Sequence, residues 1–167
     1  MKIAIDSCSI ILLAKASVLE AAANKFKLII TNAVYEEILN GKNRKFVDAL
    51  LTEKLVREKM MSIRKVKNKK IIKRLMGDFN LGLGEAEVLA LTLEKQCSII
   101  STDNKQGRKA AAICNLSLVG SIDIIVSLYR LKSIDSYKAI DALKKLREFG
   151  WFQDYLIDNA MKEVGDA

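Results

Sequence analysis

The sequence predicts an α/β fold: a short, mostly parallel sheet covered by helices on both faces, with a helical extension at the C-terminal end. Three observations lead there. Apolar segments of four to six residues, Lys2–Asp6, Lys27–Thr31, Cys97–Thr102 and Leu116–Val119, alternate with longer stretches of helical periodicity. Those short segments are apolar almost throughout, as strands buried on both faces are. The 167 residues contain no proline-rich linker, internal repeat or low-complexity tract, so one domain is the economical reading. Within it, residues 1–132 make the main α/β unit and residues 133–167 a helical extension packed on the same domain.

Taken in order, Lys2–Asp6 (KIAID) is a buried strand that ends on an acid. Ser9–Ala23 reads as one helix with Ser9 at its N-cap. Lys27–Thr31 is a second strand, and Ala33–Leu39 a helix stopped by Gly41. Arg44–Lys54 is amphipathic, and Leu55–Glu58 is a candidate short strand. Arg64–Arg74 runs from a loop into a helix. Gly82 and Gly84 break the chain before a helix over Glu85–Lys95. Cys97–Thr102 is a strand running towards Asp103, Gln106–Cys114 a helix and Leu116–Val119 a strand. Helices then fill Ile122–Leu131, Ser136–Phe149 and Phe152–Val164.

Half of the residues are hydrophobic and 29% are charged, which supports a sizeable core and argues against disorder. The net charge of +8 favours an anionic partner, nucleic acid first, although a surplus that serves only solubility gives the same number. Near the start the longest apolar run, Ile10–Ala14, is too short to span a bilayer, and Asp6 interrupts the first apolar stretch. Cys8, Cys97 and Cys114 show no CxxC spacing, so neither a zinc site nor a disulfide framework is expected. The expectation is a reducing cytoplasm without membrane contact. Histidine is absent, which removes Ser-His and Cys-His dyads and every histidine-ligated metal site.

The chemistry then falls to the acids. Asp6 and Asp103 each follow a strand at its carboxyl end, where open α/β sheets form their sites. If those two strands are neighbours, two carboxylates converge. Helical geometry, about 100° per residue, selects two more. In Ala33–Leu39, Glu37 lies between Val34 and Ile38 on the apolar face, while Glu36 points away. In Glu85–Lys95, Glu85 edges the stripe of Val88, Leu89 and Leu93, while Glu87 and Glu94 fall on the opposite face. Each acid alone has a plainer reading: Asp6 and Asp103 as caps, Glu85 as a first-turn acid, Glu37 as an ion-pair partner. Together, at the edge of a core and without histidine, they suit a hard, oxygen-preferring cation, Mg²⁺ or Mn²⁺.

At these residues the sequence resembles the PIN-domain family over about residues 2–125. The matching segments are I-A-I-D-S-C-S-I-I-L-L-A-K (Ile3–Lys15), T-N-A-V-Y-E-E-I-L (Thr31–Leu39), G-L-G-E-A-E-V-L-A-L-T-L-E (Gly82–Glu94) and S-I-I-S-T-D-N-K-Q-G-R-K-A-A (Ser98–Ala111). The family's four acids fall on Asp6, Glu37, Glu85 and Asp103. No one motif is diagnostic, but four in order are fairly specific. The G-x-G-E-A-E pattern and the tail around Gly150, Trp151 and Phe152 resemble a set of small prokaryotic PIN proteins. VapC-like toxins and PIN nucleases that process ribosomal RNA are more distant relatives. In many relatives a second Asp follows the fourth acid. Here that position is Asn104, which carries no charge and weakens the case for a second tightly held metal. Gly120–Ile124 departs from the usual G-T pattern, with Ser121 keeping a hydroxyl and Asp123 an extra acid.

The resemblance implies a three-layer α/β/α PIN-like fold and a metal-dependent endoribonuclease, with a VapC-like toxin held by an antitoxin protein as one form. Asp6, Glu85 and Asp103 would hold Mg²⁺ or Mn²⁺, and Glu37 would hold the ion or position a water. Ser7, Asn104, Lys105 and Arg108 are candidates to support the acids or reach the phosphate. Arg64, Lys65, Lys67, Lys69, Lys70, Lys73 and Arg74 are candidates for nucleic-acid backbone contact, or equally a solvated face. Aromatic residues are 6% of the chain, and no base-stacking platform is expected. PIN relatives often form homodimers, and Leu156, Ile157 and Ala160 offer one such face unless they cover the sheet. A non-catalytic RNA- or protein-binding PIN module and a structure-specific DNA nuclease are the alternatives.

Overall fold

The structure is a computed structural model that describes residues 1–40 and 46–165. Its sheet comprises β1 (Lys2–Ile5), β2 (Lys27–Ile30), β3 (Met61–Ile63), β4 (Ile99–Ser101) and β5 (Leu118–Val119). All pair in parallel, in the order β3-β2-β1-β4-β5. Central β1 sets Ala4 opposite Ile29 on β2 and Ile5 opposite Ser101 on β4. Ile3, Ala4 and Ile5 are all buried, which is why this strand is apolar after the exposed Lys2 and does not alternate.

The helices among the described residues are α1 (Ser7–Lys15), α2 (Leu19–Lys25), α3 (Asn32–Leu39), α4 (Val47–Arg57) and α5 (Lys69–Phe79), then α6 (Leu83–Leu93), α7 (Lys105–Ile113), α8 (Ser121–Arg130), α9 (Ser136–Phe149) and α10 (Asp154–Gly165). One packed group is α5, α6 and α7, with α6 lying on β1 and β4. Another is α1, α2, α8 and α9, with α2 on β2 and α8 on β5. The result is the expected α/β/α arrangement. At the C-terminal end, α9 packs on α1 and α8, and α10 packs on α8 and α9. Ile157 and Ala160 are buried in that packing, so within the suggested dimer face only Leu156 is exposed.

Two expected elements differ. The helix over Ser9–Ala23 is broken into α1 and α2 at Ser17, whose φ of 60° is left-handed. There the Ser17 amide returns to Ala14 O at 2.9 Å and the Val18 amide to Leu13 O at 3.0 Å, a two-bond helix stop made without glycine. Its N-cap is Asp6 and not Ser9. Leu55–Arg57 belongs to α4, not to a strand; after a left-handed Lys59, the edge strand is Met61–Ile63. The Gly41 stop and the start of the helix expected from Arg44 lie outside the described residues. Among the described residues no single helix is long and apolar enough to cross a membrane.

Candidate metal centre

From β1 the chain builds outward to β2 and β3 on one side, then returns to build β4 and β5 on the other. The crevice beyond the carboxyl ends of β1 and β4 is therefore the switch point of the sheet, where α/β folds place their ligands. Asp6 directly follows β1 and Asp103 closely follows β4, so the pairing of Ile5 with Ser101 brings the two acids to one crevice.

Asp6 is 1% exposed. Its extended backbone makes it the N-cap of α1, and Oδ1 accepts the Ser9 amide at 2.8 Å. Its second oxygen, Oδ2, is buried and completes no hydrogen bond. Burial pushes the carboxyl up from 3.8 to about 6, against the pull of the Thr102 and Ser9 hydroxyls and the Ser9 amide, and neighbouring Asp103 raises it further. Buried polar atoms are nearly always satisfied, so an unpartnered carboxylate oxygen at a switch point marks a place for a cation. The Ser101 hydroxyl is the other buried side-chain atom of this kind among the described residues.

Asp103 is held by donors from two helices. The Ser9 hydroxyl donates to Oδ2 at 3.0 Å. The Ser121 amide reaches Oδ1 at 3.0 Å and Oδ2 at 3.1 Å, and the Ser121 hydroxyl also donates to Oδ2. Gly120 makes room for this: a Cβ there would stand 2.7 Å from Asp103 Oδ1 and 3.0 Å from an Arg108 guanidinium nitrogen. Asp123, the extra acid of this segment, caps α8 by accepting the Gly120 amide at 2.7 Å. The sequence reading missed Ser9 and Ser121 as partners of Asp103. Each is a serine within the first turn of a helix that follows a sheet strand, and that placement was the available signal.

Glu85 sits in the first turn of α6, where Oε2 accepts the Gly82 amide at 2.9 Å. The plainer reading of Glu85 as a first-turn capping acid is therefore what this bond shows. Glu37 is exposed, as is Glu36, so burial does not separate them. Direction does: a Cβ on buried Gly84 would come 3.1 Å from Glu37 Oε2, which sets Glu37 against the start of α6 beside Glu85. All four acids lie near enough to Cys8 to raise its pKa. Burial first, then Asp6, Asp103, Glu85 and Glu37, push its thiol up to about 12. An inert thiol fits the view that Cys8 is no nucleophile. Among the described residues, no three acidic or cysteine side chains are drawn together into a finished set of metal ligands. Glu85 and Asp103 are instead engaged by their own donors. The donor chemistry still fits a hard divalent cation: acids only, one buried oxygen free, and oxygen partners behind Asp103.

Ser7, Lys105 and Arg108 lie with Glu37 and Asp103 in the wall of one groove of about 1460 Å³. Arg108 donates to Thr102 O at 3.2 Å. Asn104 caps α7, its Oδ1 accepting the Gln106 amide at 2.7 Å and the Gly107 amide at 3.2 Å, so that oxygen is already employed. The seven basic residues of 64–74 are all exposed, and none lines this groove. Their segment is tied to the far end of α6, where Glu94 accepts the Lys67 and Asn68 amides at 3.0 and 2.7 Å. With 1.5 Å of rise per residue, Glu94 is roughly 14 Å along the axis from Glu85. Burial raises the Glu94 pKa, but the amides of Asn68 and Lys67 and the Gln96 side chain lower it more, and the net shift is downward. Glu94 is therefore a clamp on the start of α5 rather than a free solvated acid.

A family model described as a PIN domain matches residues 2–166. No curated protein and no solved structure matches the chain.

Proposed function

The chain belongs to the PIN-domain family, whose fold is of nuclease type, and from that premise we propose that it is a metal-dependent endoribonuclease centred on Asp6, Glu37, Glu85 and Asp103. The observation that carries this reading is Asp6 Oδ2, buried and unbonded at the β1–β4 switch point where Asp6 and Asp103 follow adjacent strands. Mg²⁺ or Mn²⁺ bound there would lower the pKa of a water and neutralise charge on the scissile phosphate. Asp6 and Asp103, which follow two adjacent strands, would hold the ion together with Glu85. Ser9 and Ser121 fix the orientation of Asp103. Glu37, exposed at the groove wall, would hold the ion or position a water. Arg108, braced on the Thr102 carbonyl, and Lys105 line the same groove and would contact the phosphate. A VapC-like toxin held by a small antitoxin is the biological form that the family resemblance suggests.

The test is Mn²⁺-dependent cleavage of labelled single-stranded RNA, and of DNA of the same sequence, by wild type and a folded Asp6→Asn/Asp103→Asn variant. Cleavage by wild type alone, abolished by chelator, is expected. Equal cleavage by both proteins, or none by well-folded wild type, overturns the reading.

A further inference from the structure

The groove that opens from the acids has a second wall that the metal chemistry leaves unused. Phe149, Trp151, Phe152 and Tyr155 line it, at the end of α9, the connecting turn and the start of α10. Its volume, about 1460 Å³, exceeds the roughly 300–1,000 Å³ of a small-molecule pocket and suits a length of polymer. Trp151 is 105% exposed, a costly setting for the largest apolar side chain unless something covers it. Phe149 and Tyr155 are also exposed.

Gly150 ends α9, and the Phe152 ring folds back onto it so closely that no side-chain carbon fits on Gly150. One cation stands at these rings: the Lys15 ammonium lies 5.3 Å from the centre of the Phe149 ring. Lys105 and Arg108 line the same groove, as do the acids Glu37, Asp103, Asp123 and Glu163.

We propose that this aromatic wall is a shelf on which unpaired bases of a single-stranded nucleic acid stack while its backbone passes the acid centre. Rings of this kind stack any base, and flanking cations follow phosphates without reading sequence. The Lys15 ammonium at the Phe149 ring, with Lys105 and Arg108 in the same groove, is what favours a nucleic acid over an apolar protein segment. The inference rests on the nuclease reading only for where the phosphate sits. It replaces the expectation that no stacking platform exists, because that expectation came from aromatic content and not from placement.

Trp151 is the only tryptophan in the chain, so its emission reports on the shelf directly. The experiment titrates wild type with a short oligouridylate, the matching DNA and a pre-formed RNA duplex, in chelator and again with Ca²⁺. Saturable quenching by single strands that weakens with salt is expected, whether or not RNA and DNA differ. In fluorescence anisotropy, Trp151→Ala should bind on the order of 10-fold more weakly, and Trp151→Phe nearly as well as wild type. Because the side chain stands in solvent, the melting temperature of Trp151→Ala should be unchanged. No quenching in either condition, unchanged affinity of Trp151→Ala, or equal response to the duplex overturns the shelf. So does emission that changes with protein concentration alone, which would place a second copy on it. Cleavage with no quenching removes the shelf and leaves the nuclease; quenching with no cleavage does the reverse.

Discussion

Ser121 grips Asp103 twice, through its backbone amide and through its hydroxyl, and so ties the start of α8 to the end of β4. Alanine at 121 keeps the amide bond and removes the hydroxyl. Mn²⁺ affinity is expected to fall about 10-fold, as for other groups that orient a metal ligand. Stability should fall by about 1 kcal/mol. Calorimetric titration and thermal melting read the two separately. Mn²⁺ binding as tight as wild type would show that Asp103 needs no orientation from Ser121.

Gly120→Ala tests the same carboxylate from its other side. Backbone strain is not the issue at φ −110°; space is, because the new Cβ would meet Asp103 Oδ1. Asp103 is held by several donors and cannot simply swing away. A loss of about 1–3 kcal/mol is expected from such overpacking, together with weakened Mn²⁺ binding. A variant with wild-type melting and wild-type Mn²⁺ affinity would mean that Asp103 has another resting place.

Asp6 makes the metal-free protein sensitive to pH. Its folded pKa, about 6, lies above the ordinary 3.8, so folding favours the protonated form. The resulting stabilisation is fully present below about pH 4 and is lost as pH rises through about 6. Two units correspond to about 3 kcal/mol between these limits. Denaturation of wild type in chelator should show this decline, and Asp6→Asn should flatten it. Saturating Mn²⁺ should restore wild-type stability at neutral pH by binding the ionised form. Parallel pH profiles for wild type and Asp6→Asn would contradict the assignment.

Glu94→Ala serves as a distant control. It frees the Lys67 and Asn68 amides at the start of α5. A loss of about 1 kcal/mol is expected, as for a removed helix cap. Mn²⁺ affinity should not change. Impaired metal binding would reveal a coupling along α6 that its geometry does not suggest.

The convergence of Asp6 and Asp103 was legible because strand ends and helix faces obey simple periods. Asp6 and Asp103 were found from their positions after apolar strands, and the neighbouring of β1 and β4 placed them together. Glu37 was right in direction but not in burial, since it leans on Gly84 while staying in water. The break at Ser17 was hidden because a left-handed helix stop normally uses glycine or asparagine, and here serine adopts it. The β3 strand was missed because three residues at a sheet edge carry almost no periodic signal. Glu94 looked solvated because its partners are backbone amides of a segment distant in sequence. The full exposure of Trp151 is something no pattern of residue types records.

The groove draws on distant parts of the chain: Ser7 and Lys15 near the beginning, Asp103, Lys105 and Arg108 in the middle, and Phe149 to Tyr155 near the end. During synthesis the acid side is therefore complete well before its aromatic counterpart leaves the ribosome. A product terminated just ahead of Trp151 would retain all four carboxylates yet present them to solvent in a one-sided trough. Such a truncated chain would also lose α10, whose Ile157, Ala160 and Val164 are buried, so the last segment of the chain both completes the aromatic wall and closes the packing over α8 and α9.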